Sequence, residues 1–345
     1  MLSEEKYQDY GALKASSMSE DRINKTEISS PTAGPSHNAS VIDKFDFDEE
    51  YDKTLGRAGG CGIFQIFLFV SMLLNFSAVN FYSYNISFYE LMPKQYLCVF
   101  SNSTQPIVCQ PDQFCNNPDL VSYEVDYNSD GTLRNWATKM DFACESHFKI
   151  GLVGSSTFFG WVITLLFIPR LSDVYGRKWF FRGGMIVQAV AYTFIVLTKS
   201  INVLIACQFA IGLGSTARCQ VGFIYFMEFI PKRLQSAIGS SFFILESIIG
   251  LSGAIYFFWA TSAYPYLYIG YSFQVIGAIT SFGIPESPKF LLSVKQYDLA
   301  RVSLTKIYKL NRKAVDVDGI SLRETYERQE SQGDKEVPPL MFFLK

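Results

Sequence analysis

Leu171-Ser172-Asp173-Val174-Tyr175-Gly176-Arg177-Lys178 is a short charged stretch between two runs too apolar for water. Upstream, Ile150 to Pro169 is 20 residues without a charge. At roughly 1.5 Å per residue such a run covers the ~30 Å hydrocarbon core of a bilayer. Downstream, Gly183 to Thr198 is again uncharged, and Trp179 to Arg182 extend it toward the headgroups. The stretch therefore reads as the tip of a hairpin between two membrane helices. Gly176 allows the sharp reversal, Asp173 is placed to cap the following helix, and Arg177 and Lys178 hold the tip on the cytoplasmic side.

Composition agrees with a membrane class. The chain has 345 residues, 49% of them hydrophobic, with 31 Phe and only 18% charged residues, which is too oily for an ordinary soluble domain. A net charge of −2 gives no basis for a nucleic-acid partner. Residues 1–55 differ in kind. They are polar and charged, with Pro31 and Pro35, and read as a disordered cytoplasmic tail.

Further charge-free runs follow the same logic. Ile63 to Phe81 is the first, 19 residues long, with Asn75, Ser77 and Asn80 toward its outer half. In a bilayer such side chains face other helices or a cavity. The fourth run spans Ser200 to Ile230, and from Leu234 to Pro285 the only charge is Glu246. That last span divides at Ala263-Tyr264-Pro265 into two helices, near 236–258 and 266–284, which makes six crossings in all over 56–285. Lys and Arg concentrate at 170–182, at 232–233 and after Pro285, so both termini are expected in the cytoplasm.

Residues 90–149 form a long polar loop, expected outside, holding four of the seven cysteines: Cys98, Cys109, Cys115 and Cys144. Crowded cysteines in an extracellular segment point to disulfides, with three pairings open. Their spacing fits no common zinc pattern, so no metal is expected. Asn102-Ser103-Thr104 is an N-glycosylation sequon in the same loop. Beyond Pro285, residues 286–345 hold an apolar and basic alternation (Phe290, Leu291, Val294, Tyr297, Val302, Leu304, Ile307 against Lys289, Lys295, Arg301, Lys306, Lys309), read as an amphipathic helix on the inner membrane face and a tail.

Two charges sit where lipid would be. Arg218 lies 13 residues before Pro231 and Glu246 lies 13 residues after Arg233, on consecutive antiparallel helices. Both then stand roughly 20 Å from the inner turn, where a charge costs on the order of 2.5–3.5 kcal/mol. They are expected inside the bundle, either paired or separately lining a cavity.

Several stretches resemble the major facilitator superfamily. Residues 169–178 resemble its signature loop Gly-x-Leu-x-Asp-(Arg/Lys)-x-Gly-Arg-(Arg/Lys), with Pro169 for the first Gly and Val174 for the basic residue. Phe45-Asp46-Phe47-Asp48-Glu49-Glu50 before Gly59-Gly60-Cys61-Gly62-Ile63-Phe64-Gln65, and Trp136 to Cys144, resemble organic cation transporters. Tyr225-Phe226-Met227-Glu228-Phe229 and Pro285-Glu286-Ser287-Pro288-Lys289-Phe290-Leu291 resemble the ends of helices four and six in that family. Gln208 and Gln235 stand where the family carries arginines.

The resemblance implies an all-α integral membrane protein, the N-terminal six-helix half of a major facilitator fold. It also implies a carrier of small organic ions or solutes in the plasma membrane, working by alternating access and needing no cofactor. Asp173, Gly176, Arg177, Lys178, Glu228 and Glu286 would form its inner gate. With only one half, a half-length or truncated carrier is expected, completed by a second half or a homodimer. The alternative is a non-transporting half-length membrane protein, degenerate or regulatory. An enzyme is not expected, since neither a phosphate loop nor a Gly-x-Ser-x-Gly elbow is present.

Overall fold

The computed structural model describes residues 47–102, 105–129 and 131–313. Helix α1 (Phe47–Arg57) precedes α2 (Ile63–Ser83), and after the polar loop come α3 (His147–Leu165), α4 (Ile168–Tyr175) and α5 (Arg177–Leu197). Then follow α6 (Ile201–Met227), α7 (Lys232–Trp259) and α8 (Tyr264–Ser281), and finally α9 (Pro288–Ser293) and α10 (Tyr297–Leu310). Five of these, α2, α3, α5, α6 and α7, are long and apolar enough to cross a membrane. Helix α8 packs with them but is less apolar, because Tyr264, Tyr266, Tyr268 and Tyr271 crowd its first half. Tyrosine belongs at the wet edge of a bilayer, where its ring is buried and its hydroxyl is not.

The helices close around two apolar clusters, one at each end. At the end that carries Asp173, Phe64, Leu68, Phe181, Tyr225, Phe229 and Leu292 are buried together. At the opposite end Tyr82, Tyr89, Trp136, Tyr192, Leu204 and Leu267 are buried. Helices α3 and α6 meet closely because Gly160 and Gly212 face each other's backbones; a Cβ on Gly212 would collide with the Thr157 carbonyl. Elsewhere α3 and α7 bury little. Phe158, Phe159 and Val162 on α3 and Ile244, Ile248, Leu251 and Ile255 on α7 are exposed. An apolar surface of this extent is stable only against lipid or another apolar body.

The polar loop is a folded unit. Strands β1 (Tyr96–Phe100), β2 (Ile107–Cys109) and β3 (Leu120–Val125) form an antiparallel sheet in the order β2-β1-β3. Two disulfides, left open by the sequence, join Cys98 to Cys109 and Cys115 to Cys144, with Cα–Cα distances of 5.9 and 5.5 Å. Loops closed over 11 and 29 residues contribute about 3 and about 3.5 kcal/mol by restricting the unfolded chain. Asn135 fastens the loop to the bundle. Its Nδ2 donates to the carbonyls of Phe88 and Leu91, each at 2.8 Å.

Three expectations are revised at the other end. The polar tail was read to residue 55, but a helix already runs from Phe47, and Tyr51 and Leu55 are core residues; residues 1–46 lie outside the described residues. The single amphipathic helix is two, broken at Lys295, whose φ of +60° is left-handed. Its apolar side faces protein as well as surroundings: Leu291, Leu304, Ile307 and Tyr308 pack with α1 and Phe64, while Val294, Leu299 and Val302 remain exposed. The third is Asp173, which lies inside α4 instead of at the start of the next helix.

The C-terminal end of α10 is tied into the start of α2. Asn311 Oδ1 accepts from the Phe64 N–H at 2.8 Å, and its Nδ2 donates to the Ala58 carbonyl at 2.7 Å and to Gln65 Oε1 at 2.9 Å. One buried amide thus satisfies an orphan donor of the α2 first turn and two acceptors beside it.

Candidate functional site

Residues 171–178 are not a simple turn. Chain reversal is concentrated in one residue, Gly176 (φ +101°, ψ 145°), between α4 and α5. A side chain there would be strained, and a Cβ would lie 2.9 Å from Glu286 Oε2. Asp173 sits inside α4 and caps nothing. One turn before Arg177, it is paired with that residue instead, Nη2 to Oδ1 at 2.9 Å.

Arg177 also reaches across to the end of α6, where its Nη1 pairs with Glu228 Oε1. The guanidinium is thus shared between an exposed carboxylate (Asp173, 61%) and a nearly buried one (Glu228, 12%). Among the described residues Glu228 Oε2 has no hydrogen-bond partner. Nearby, Tyr51 donates to the Glu228 carbonyl at 2.9 Å and Tyr225 donates to the Pro285 carbonyl.

Glu286 completes this end from the other side of Gly176. Its Oε1 accepts from the Lys178 N–H at 3.3 Å and from the Ser287 N–H at 3.1 Å, placing the carboxylate at the positive N-terminus of α5 as well as beside α9. Burial pushes its pKa up, and the two backbone bonds counter part of that effect. All six residues picked for the gate therefore gather at one end. They form two connected pieces, Asp173–Arg177–Glu228 and Gly176–Lys178–Glu286.

The two glutamines at expected arginine positions have partners of their own. Gln235 Nε2 donates to the carbonyls of Met227 and Ile230 at 2.9 and 3.0 Å, satisfying the last acceptors of α6. Gln208, fully buried, accepts from Thr157 at 3.1 Å, and its Nε2 has no partner among the described residues.

Mid-bundle, Arg218 and Glu246 are not partners. Arg218, 4% exposed, donates from Nη1 to the Phe76 carbonyl at 2.8 Å, with its guanidinium 5.5 Å from the Phe76 ring centroid. Glu246 is half-buried, and its Oε1 accepts from Asn80 Nδ2. Each charge is held by α2, four residues apart along it. A π-turn over Ala217–Val221 carries Arg218, and such turns arise by inserting one residue into a helix. Tyr84 and Cys219 lie within electrostatic reach of both charges. Sequence reasoning missed these two, because a π-turn has no compositional signature and Tyr84 follows a run ended at Phe81.

In the sheet unit Asn102 is exposed, whereas Ser103 and Thr104 of the sequon lie outside the described residues.

Comparison with known proteins places the chain. The family model described as sugar (and other) transporter matches residues 63–343. Organic cation transporter 1 of Caenorhabditis elegans is 27% identical over 304 residues, covering 78% of this chain and 51% of that protein. Solute carrier family 22 member 2 of Rattus norvegicus is 24% identical over 195 residues, 55% of this chain and 34% of the relative. Solute carrier family 22 member 15-like of Xenopus laevis is 23% identical over 191 residues, 53% and 38% of the two chains. The chain spans about half or less of the length of these relatives, which are transporters and not enzymes. The fold, the gathered motif residues and this match agree: the chain is a multi-pass membrane protein of the major facilitator superfamily and belongs to the sugar (and other) transporter family, similar to organic cation transporters.

Proposed function

We propose that the chain forms one six-helix half of a carrier that moves small organic ions or solutes across the plasma membrane by alternating access. In this reading α8 is the sixth crossing, the sheet unit is extracellular, and both termini and α9–α10 are cytoplasmic. The exposed faces of α3 and α7 meet a second half, either another six-helix body or a second copy of the chain.

The observation that carries the reading is the sharing of Arg177 between Asp173 and Glu228 at the end of three helices. An ion pair at 61% exposure is worth little in stability and is easily exchanged. It suits a latch that opens and closes. Glu246 supports a preference for cations, because it keeps carboxylate surface available while Arg218 is committed to backbone and ring.

A second reading, a half-length membrane protein without transport, is favoured by Gln208 and Gln235. Both glutamines serve packing and capping where the family carries charge.

Uptake of a radiolabelled quaternary ammonium ion and of an organic carboxylate, measured in cells at matched surface expression, separates the two. Saturable cation uptake that Glu246→Gln lowers roughly tenfold supports the carrier. Uptake no higher than in control cells, for both probes, supports the second reading.

A further inference from the structure

A groove of about 770 Å³ runs between the first turn of α5, the end of α8 and the outer side of α9–α10. Three cations converge on it: Lys178, Arg182 and Lys306. Their charges bear on one another, and one carboxylate, Glu286, stands among them. That carboxylate already accepts two backbone N–H bonds.

The other hydrogen-bond partners of the cations are neutral. Arg182 donates to the carbonyls of Ser281, Phe282 and Ile284 at 3.2, 2.7 and 3.0 Å, and Lys306 donates to Gly283 at 2.9 Å. These bonds close the C-terminal end of α8 and leave Arg182 Nη1 without an acceptor among the described residues. The Lys178 ammonium likewise has no hydrogen-bond acceptor there. It lies 5.1 Å from the Trp179 ring centroid, with the Arg182 guanidinium 5.7 Å from the same ring.

The walls are apolar and open. Trp179 and Val302 are each 65% exposed, and Phe282 is 56% exposed. One turn along α5 from Arg182 is exposed Ile186, and one turn back along α8 from Phe282 is exposed Ile279. A seam of apolar surface thus rises from the cations along the flank of the bundle.

We infer that this groove binds an anionic phospholipid, its headgroup phosphate held by Lys178, Arg182 and Lys306 and its acyl chain laid along the α5–α8 seam. Positive charge at the foot of an apolar seam matches a molecule that is anionic at one end and hydrocarbon at the other. A soluble anion would use the cations and leave the seam uncovered. A zwitterionic lipid would offer its phosphate but bring a further cation up against the three. The groove shares Lys178 and Glu286 with the gate cluster, but the assignment needs no transport and holds for either reading above.

The test uses the whole chain reconstituted in phosphatidylcholine vesicles containing a minor fraction of brominated phosphatidylserine or brominated phosphatidylcholine. Bromine quenches tryptophan on contact, and the difference between wild type and Trp179→Phe isolates Trp179. Brominated phosphatidylserine is expected to quench Trp179 at lower mole fraction, and Lys306→Gln to weaken that preference by about fivefold, the worth of one interfacial cation. Lys178→Gln/Arg182→Gln/Lys306→Gln should abolish it. Equal quenching by both brominated lipids in wild type overturns the proposal, and this arm needs no variant to fold. A preference that survives the triple substitution overturns it too. So does displacement of brominated phosphatidylserine by inorganic phosphate at constant ionic strength, which would mark a free-anion site.

Discussion

Glu246 takes its hydrogen bond from Asn80 and leaves Arg218, the other charge at that depth, to the Phe76 carbonyl. Helix α2 is their common support, through Phe76 and Asn80 one turn apart. Arg218→Glu and Glu246→Arg should therefore each destabilise the bundle by roughly 2.5 kcal/mol or more, the insertion cost of a misplaced charge. The double swap should not recover the loss. Thermal melts of the four proteins in detergent check this; rescue by the double swap would show that the two charges couple directly.

Gly176→Ala should cost about 1–3 kcal/mol, since alanine is strained at φ +101° and its Cβ would press on Glu286. The same substitution at exposed Gly183, where nothing lies within 4 Å, should cost nothing and slightly favour the helix. A fall in Tm for the first and none for the second is the expected pair of results.

Asp173→Asn and Glu228→Gln should differ. Asp173 is mostly exposed, so its loss should change stability by less than about 1 kcal/mol. Loss of Glu228 leaves a largely buried guanidinium short of its better partner and should cost about 3 kcal/mol. If the latch reading holds, Asp173→Asn slows uptake at normal surface expression. Reduced expression with normal uptake per molecule would make the pair a simple anchor.

Glu90, half-buried after the outer end of α2, has its carboxyl pushed by burial up to about 7, and its Oε1 has no hydrogen-bond partner among the described residues. The folded state then holds this proton more tightly than the unfolded chain does. Stability is fully present below the ordinary value of 4.5 and is lost as pH rises toward about 7. Glu90→Gln should leave Tm unchanged at the acid end of that window and raise it at about pH 8. Parallel melts against pH would show the variant curve flatter; identical slopes would sink the assignment.

Five of the expected spans were legible because a lipid-facing helix excludes charge along its whole length, a signal that needs no partner to be read. The gathering of the six motif residues at one end was legible for the same local reason, each lying at or within a turn of a helix end marked by Gly, Pro or a basic cluster. What escaped was whatever depends on two distant segments meeting. Asp173 has the residue type and position of a cap, yet Arg177 four residues on competes for it and wins. The cysteine pairing needed the β1–β2 register, in which Tyr96 lies opposite Cys109. The break at Lys295 is hidden because its flanks keep helical periodicity. The Arg218–Glu246 question turned on which face of α2 each helix meets, and spacing along either helix is silent on that.

The Asn311 side chain fixes an order of events in synthesis. The Phe64 amide that it accepts from lies 247 positions earlier in the chain. At ribosomal rates of about 5–20 residues per second, that amide is made roughly 12 to 50 s before its partner exists. During that interval the first turn of the first span must borrow water or an assisting protein for its open N–H group. The entrance of α2 is thus finished only after the helices that follow it, and a ribosome that stalls before codon 311 leaves a bundle in which that entrance is still unfastened.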